Sequence, residues 1–63
     1  MIYDNVKELA DNNNLTIRQV ELKAELGNGT IARWKKSKPS VVTLLKVAKV
    51  FNVPLEDLLD KKV

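Results

Sequence analysis

The chain has 63 residues, is 44% hydrophobic and carries a formal net charge of +3. This length predicts one domain over residues 1–63. So short a chain buries only about 60% of its unfolded surface and depends on efficient helix packing or self-association. Without Cys it has neither a disulfide scaffold nor a zinc finger, and without an apolar run of ~18 residues it has no membrane span, so we expect a cytoplasmic protein.

The N-terminal segment is amphipathic. Its apolar residues recur at helical spacing: Ile2, Val6, Leu9 and Ala10. Two acids lie among the first eight residues, where a signal peptide would carry basic residues. Three consecutive asparagines follow at positions 12–14, and such a run favours a turn. The pattern predicts a first helix over residues 2–12 and no signal peptide.

The stretch LTIRQVELKAELGNGTIARWKK, residues 15–36, predicts two short helices joined by a turn. Thr16 and Gln19 have the spacing of a capping box, in which each side chain bonds the backbone N–H of the other, so a second helix begins here. Two glycines in three residues, GNG, then favour a turn. The predicted core residues of this part are Val20, Ala24 and Leu26.

Residues 28–36 predict a third helix with one narrow buried stripe, formed by Ile31 and Trp34. Its other face carries amide, hydroxyl and cationic groups, from Asn28, Thr30, Arg33, Lys35 and Lys36. Such groups suit the major groove of DNA, because amides and guanidinium groups pair with purine edges and lysines with phosphates. An ordinary surface helix with a solvated polar face explains the same pattern, so this helix alone leaves both interpretations open.

Positive charge is concentrated in one part of the chain. Residues 28–49 carry six basic side chains and no acidic one, whereas the segments on either side are net negative. Such a concentration attracts a polyanion independently of sequence, and the attraction weakens steeply with salt. The charge distribution therefore favours a nucleic-acid partner, with solvated surface lysines as the alternative.

The C-terminal third predicts two further helices. Ser40 suits the N-cap of a fourth helix, and the apolar face of that helix is expected to consist of Val41, Leu44, Val47, Ala48 and Phe51. Leu45 and Val50 lie beside this face, and the sequence leaves open whether they form part of a surface that binds a partner. A fifth helix is expected from Pro54 to Leu59, with one leucine in the core and Leu55 and Leu59 as candidates for a dimer contact. Residues 60–63 are predicted to be a frayed tail.

The two short helices predicted within residues 15–36 are the second and third of five. In this arrangement the chain resembles the phage Cro and repressor family of helix-turn-helix proteins. The resemblance runs from VKELA to FNVPLEDLL and is most specific in NGTIARWKKSKPS and FNVPLEDLL. It implies an all-α, compact five-helix domain like that of lambda repressor. It also implies a transcription regulator that binds a two-fold symmetric operator of double-stranded DNA as a homodimer. No enzymatic activity, cofactor, metal or small-molecule substrate is implied.

The third helix has the position that the recognition helix has in this family, so the resemblance implies that role for it. It implies base contacts from Asn28, Gly29, Thr30 and Arg33. Asn28 is suited to adenine and Arg33 to guanine. Phosphate contacts are implied at the start of the second helix and beyond the third, from Thr16, Ile17, Arg18, Lys35, Lys36 and Lys38. Trp34 is expected in the core and not in a base stack.

The chain departs from the family pattern at the turn. Glu25 stands where the family usually has glycine, and a left-handed conformation there costs Glu ~1 kcal/mol. Gly27 and Pro54 stand where helix-capping residues are common, and Leu22 is an unexplained apolar residue on the outer face of the second helix. These departures bear on stability more than on function.

Two functions remain as hypotheses. The first is a phage or prophage repressor that occupies an operator. The second is a protein-interaction module, such as an antitoxin or anti-regulator, that binds a partner through Leu22, Leu45, Leu55 and Leu59. An enzyme is disfavoured, because the sequence has no His, no Cys and no carboxylate cluster beside a phosphate loop or metal set.

Overall fold

The computed structural model describes residues 1–59, and the tail predicted for residues 60–63 lies outside that range. Residues 1–59 form three α-helices and two short 3-10 helices, with no strand. In chain order these are α1 (Ile2–Asn12), α2 (Ile17–Lys23), the first 3-10 helix (Ala32–Lys35), α3 (Val41–Phe51) and the second 3-10 helix (Leu55–Asp57). The all-α prediction is confirmed. None of these helices is long and apolar enough to span a bilayer.

The prediction of five helices is wrong at two places, the first of which is residues 28–36. Turns there lead into the 3-10 helix Ala32–Lys35. Gly29 has a φ of +85°, which no right-handed helix includes. The N–H of Trp34 then bonds the carbonyl of Ile31 at 3.0 Å, the three-residue step of a 3-10 helix. An α-helix therefore does not form over this segment.

The second correction is the predicted helix from Pro54 to Leu59, which is a single 3-10 turn at Leu55–Asp57. Pro54 remains extended, with ψ at 154°, so it precedes the turn and is not part of it. The N–H of Leu58 bonds the carbonyl of Leu55 at 2.9 Å, again the three-residue step. The turn directs Leu58 into the core, where it is fully buried.

The predicted N-caps are confirmed. Thr16 Oγ1 accepts from the N–H of Gln19 at 3.0 Å, and Gln19 Oε1 accepts from the N–H of Thr16 at 2.8 Å, which completes the capping box. At the start of α3, Ser40 Oγ accepts from the N–H of Thr43 at 3.3 Å. These bonds define where α2 and α3 begin.

Each α-helix is followed within two residues by a residue with left-handed backbone, and these residues are Asn14, Glu25 and Asn52, with φ of 58°, 60° and 55°. The next N–H donates to the carbonyl five residues earlier, as Leu15 does to Ala10, Leu26 to Glu21 and Val53 to Ala48. This pattern is the Schellman motif, whose left-handed position favours glycine and tolerates asparagine. The left-handed conformation predicted at Glu25 is confirmed.

The core draws on the three α-helices, the first 3-10 helix and the segments beside them. Its buried apolar residues are Val6, Ala10, Val20, Ala24, Ile31, Trp34, Leu44, Val47, Ala48 and Leu58. Leu26 and Phe51, expected in the core, are half-buried and pack against it. Val41, also expected there, is 61% exposed, because it is the first residue of α3 and lies beyond the buried Leu44 and Ala48 of the same face. The core thus positions residues 28–36 through two of its members, Ile31 and Trp34.

Candidate nucleic-acid interface

We call residues 28–36 the recognition segment. Ile31 is fully buried and Trp34 is 6% exposed, as their spacing predicted. The intervening Arg33 and the preceding Asn28 are exposed, and Thr30 is half-buried. The segment is therefore fixed to the core on one side and presents polar groups on the other, although it is not an α-helix.

Two of the four predicted base-contacting residues lie together. Thr30 and Arg33 line one surface concavity, which we call the first concavity, together with Trp34, Ser37, Lys38, Pro39, Ser40 and Thr43. Asn28 and Gly29 precede it in the chain and do not line it. Nothing lies within 4 Å of where a Cβ on Gly29 would stand, so the backbone there is open to close approach. The first concavity combines four hydroxyl groups with a guanidinium and an ammonium group.

Three predicted phosphate-contacting lysines surround a neighbouring concavity. This second concavity is lined by Met1, Ile2, Trp34, Lys35, Lys36, Ser37, Lys38 and Pro39. Lys38 belongs to both concavities, so they adjoin. The ammonium group of Lys35 also lies 4.7 Å from the centroid of the Tyr3 ring on α1. Four cationic side chains thus follow one another along adjoining surfaces.

The start of α2 lies outside both concavities. The capping box occupies the N–H groups of Thr16 and Gln19. Ile17 is half-buried with its side chain packed against the core, so only its backbone is suited to a phosphate. Arg18 is exposed and its guanidinium lies 3.4 Å from the carboxylate of Glu21. Of the three predicted residues at this end, Arg18 alone offers a charged side chain.

Glu21 was missed by the sequence analysis. It is 2% exposed, and its Oε2 accepts from the N–H of Ile31 at 3.0 Å while its Oε1 accepts from the N–H of Gly29 at 3.3 Å. The sequence feature that could have identified Glu21 is its position on α2, directly after the core residue Val20 and one turn before Ala24. A carboxylate on that side faces the turn that follows the helix, where backbone N–H groups need acceptors.

The positive charge of residues 28–49 divides between two parts of the surface. Four basic side chains lie in or directly after the recognition segment: Arg33, Lys35, Lys36 and Lys38. The other two, Lys46 and Lys49, line a separate hollow with Lys23 and Glu25. The concentration of charge in the sequence is thus shared between two sites in the fold.

A protein-family model described as helix-turn-helix matches residues 6–58, which is most of the chain. The match extends from the middle of α1 to the buried Leu58 and includes the whole recognition segment. No curated protein and no solved structure matches the chain significantly.

Proposed function

The chain belongs to the helix-turn-helix family, as its resemblance to the Cro and repressor proteins predicted, and it carries a DNA-binding domain of the kind found in transcription regulators. From this premise we propose that it is a sequence-specific phage or prophage repressor. In this proposal it binds a two-fold symmetric operator as a homodimer, at least on DNA, with the recognition segment in the major groove, and blocks polymerase by occupying the operator.

The observation that carries this proposal is the grouping of Thr30, Arg33 and Lys38 around the first concavity. Guanidinium groups pair with the O6 and N7 atoms of guanine, hydroxyl groups pair with several base edges, and ammonium groups neutralise phosphates. Because Ile31 and Trp34 fix the segment to the core, these groups meet DNA with little loss of backbone freedom.

Asn28 and Gly29 complete the proposed base-contacting set. Asn28 is exposed at the start of the segment, where its amide is suited to adenine. Gly29 has a φ of +85° and open space beside it, so it allows close approach of the backbone but disfavours any larger residue.

The proposed phosphate contacts are Lys35, Lys36 and Lys38 around the second concavity, and Thr16, Ile17 and Arg18 at the start of α2. Each neutralised phosphate releases counterions, so the affinity for any duplex falls with salt at a slope set by the number of contacts. These contacts orient the protein on DNA but do not distinguish sequences.

Selection of bound duplexes from a random pool, followed by titration at several salt concentrations, tests the proposal. We expect a palindromic consensus, and we expect Arg33→Ala to lose about 1–3 kcal/mol of discrimination between the selected and a scrambled duplex. Lys46→Ala is the control, since it also removes one exposed positive charge but lines the separate hollow. Weak binding to every duplex, unchanged in Arg33→Ala, would show that the proposal is wrong.

Exposed apolar side chains support a second candidate function, an antitoxin or anti-regulator that binds a protein. Leu22 is 59% exposed, Leu45 49% and Leu59 38%, whereas Leu55 packs against the core. Contiguous exposed apolar groups mark protein-binding surfaces, and Leu45 lines one hollow together with Val42, which is 63% exposed. The same titration separates the two candidates, because a protein-binding module has no preferred duplex.

A further inference from the structure

We infer that Glu21 is a positioning residue for DNA recognition: its buried carboxylate holds the start of the recognition segment in the conformation that presents Thr30 and Arg33. The inference rests on the proposed function, since it concerns how the base-contacting residues are oriented. It adds to that function a residue on α2 that itself touches no DNA.

The geometry is specific to this carboxylate. Its two oxygens accept from two alternate N–H groups, those of Gly29 and Ile31, at 3.3 and 3.0 Å. The backbone hydrogen bonds within residues 1–59 include none donated by either group, so Glu21 supplies their acceptor. Thr30 lies between the two bonded groups in the chain. The position of its side chain therefore depends on both bonds.

The bonds extend to Arg33 through the backbone. Glu21 holds Gly29 by accepting from its N–H. The carbonyl of Gly29 in turn accepts from the N–H of Arg33 at 3.1 Å, so Gly29 also fixes the backbone of Arg33. Gly29 has the left-handed φ of +85° and few steric restraints of its own. A glycine that is free to change conformation requires an external partner to define the turn, and Glu21 is that partner.

The charge of Glu21 is compensated at the same place. A carboxylate that is 2% exposed is costly to bury unless its oxygens are hydrogen-bonded and its charge is paired. Two N–H groups and the Arg18 guanidinium, at 3.4 Å, satisfy both conditions. Since Arg18 is also a proposed phosphate contact, one residue connects phosphate binding to the position of the recognition segment.

Glutamine is the informative replacement. Glu21→Gln keeps the shape of the side chain but has one acceptor oxygen and an NH₂ group, which repels an N–H donor. It therefore satisfies only one of the two N–H groups of Gly29 and Ile31. Glu21→Ala satisfies neither, and its cost to folding is larger because both donors lose their partner, including the buried N–H of Ile31.

The test combines amide hydrogen exchange without DNA and duplex titration, with Glu8→Gln as the control because Glu8 is an exposed acid on α1. In Glu21→Gln we expect faster exchange at Gly29 or Ile31 with unchanged exchange in α1 and α3. We also expect the preference for the selected over a scrambled duplex to fall about fivefold to tenfold. Affinity for the scrambled duplex should not fall, because the phosphate-contacting lysines are untouched and the loss of the carboxylate leaves Arg18 free to bind a phosphate.

The outcomes separate this inference from the proposed function. If the wild-type protein prefers no duplex, the proposed function fails. If it does prefer one, and folded Glu21→Gln retains both that preference and slow exchange at Gly29 and Ile31, the proposed function stands and the role of Glu21 is overturned. An equal loss of affinity for both duplexes also overturns it, because that result indicates general destabilisation.

Discussion

The ammonium group of Lys35 lies over the ring of Tyr3, 4.7 Å from its centroid. The contact joins the first 3-10 helix to α1 and is worth about 0.5–1 kcal/mol at an exposed site. Lys35 remains exposed and lines the second concavity beside Lys36 and Lys38. The contact with Tyr3 thus limits where this positive charge lies while leaving it accessible to an anion.

Replacing Lys35 tests whether it contacts a phosphate. We expect Lys35→Ala to weaken binding to selected and scrambled duplexes alike and to reduce the salt slope by about 1, since one phosphate contact is lost. The measurement is a titration of both duplexes at several salt concentrations. A change in the ratio of the two affinities would instead make Lys35 a base-contacting residue.

Tyr3→Leu is the matched variant for that experiment. It removes the aromatic ring and keeps the lysine charge, so the salt slope should equal that of the wild-type protein. Affinity should fall slightly for both duplexes, because Lys35 then samples more positions and loses more freedom on binding. A slope reduced as much as in Lys35→Ala would mean that the ring is required for the phosphate contact itself.

Glu25 is the residue whose replacement should stabilise the fold. It has a φ of 60° at the left-handed position of the Schellman motif that ends α2. Glycine adopts this conformation without the steric cost, so we expect Glu25→Gly to raise the free energy of unfolding by about 1 kcal/mol. In a domain of this size that gain corresponds to a rise in Tm of roughly 4–8 °C.

Glu8→Gly is the control for Glu25→Gly, since it also replaces one exposed acid by glycine. Glu8 lies inside α1, where glycine costs backbone entropy, so this variant should be less stable by about 0.5–1 kcal/mol. Thermal unfolding followed by circular dichroism measures both. A Glu25→Gly protein with a lower Tm than wild type would show that the Glu25 side chain makes a stabilising contact.

Features that depend on neighbouring residues were predictable from the sequence. The capping box of Thr16 and Gln19 closes within one helical turn, and the spacing of Ile31 and Trp34 identified the buried side of the recognition segment. Both of these features require only local geometry, which residue type and spacing determine. The left-handed conformation at Glu25 was instead implied by the family resemblance, since the family usually has glycine at that position.

Features that depend on contacts across the fold were not predictable. The carboxylate of Glu21 bonds N–H groups eight and ten residues away, and their positions depend on the turn. The recognition segment was expected to be an α-helix because its periodicity is helical, but the conformation of Gly29 overrides that periodicity. The separation of Lys46 and Lys49 from Arg33 likewise depends on how α3 packs.

Trp34 gives a direct test of the core assignment. It is the single tryptophan of the chain and is 6% exposed, so its fluorescence should be blue-shifted in the native protein and poorly quenched by iodide. We expect the emission to shift to the red on unfolding and to change little when DNA binds. Strong quenching by bound DNA would instead indicate that Trp34 stacks on a base.

Leu59 is the better of the two candidates for a dimer contact. It is 38% exposed after the second 3-10 helix, whereas Leu55 is half-buried and packs against the core. We therefore expect Leu59→Glu to lower the fraction of dimer in sedimentation at micromolar concentration and to weaken binding to a palindromic duplex more than to a half-site. Leu22→Glu is the control, because it places the same charge on an exposed leucine of α2. A wild-type complex of one chain on one palindromic duplex would contradict dimerisation, and an equal loss in both variants would place the contact elsewhere.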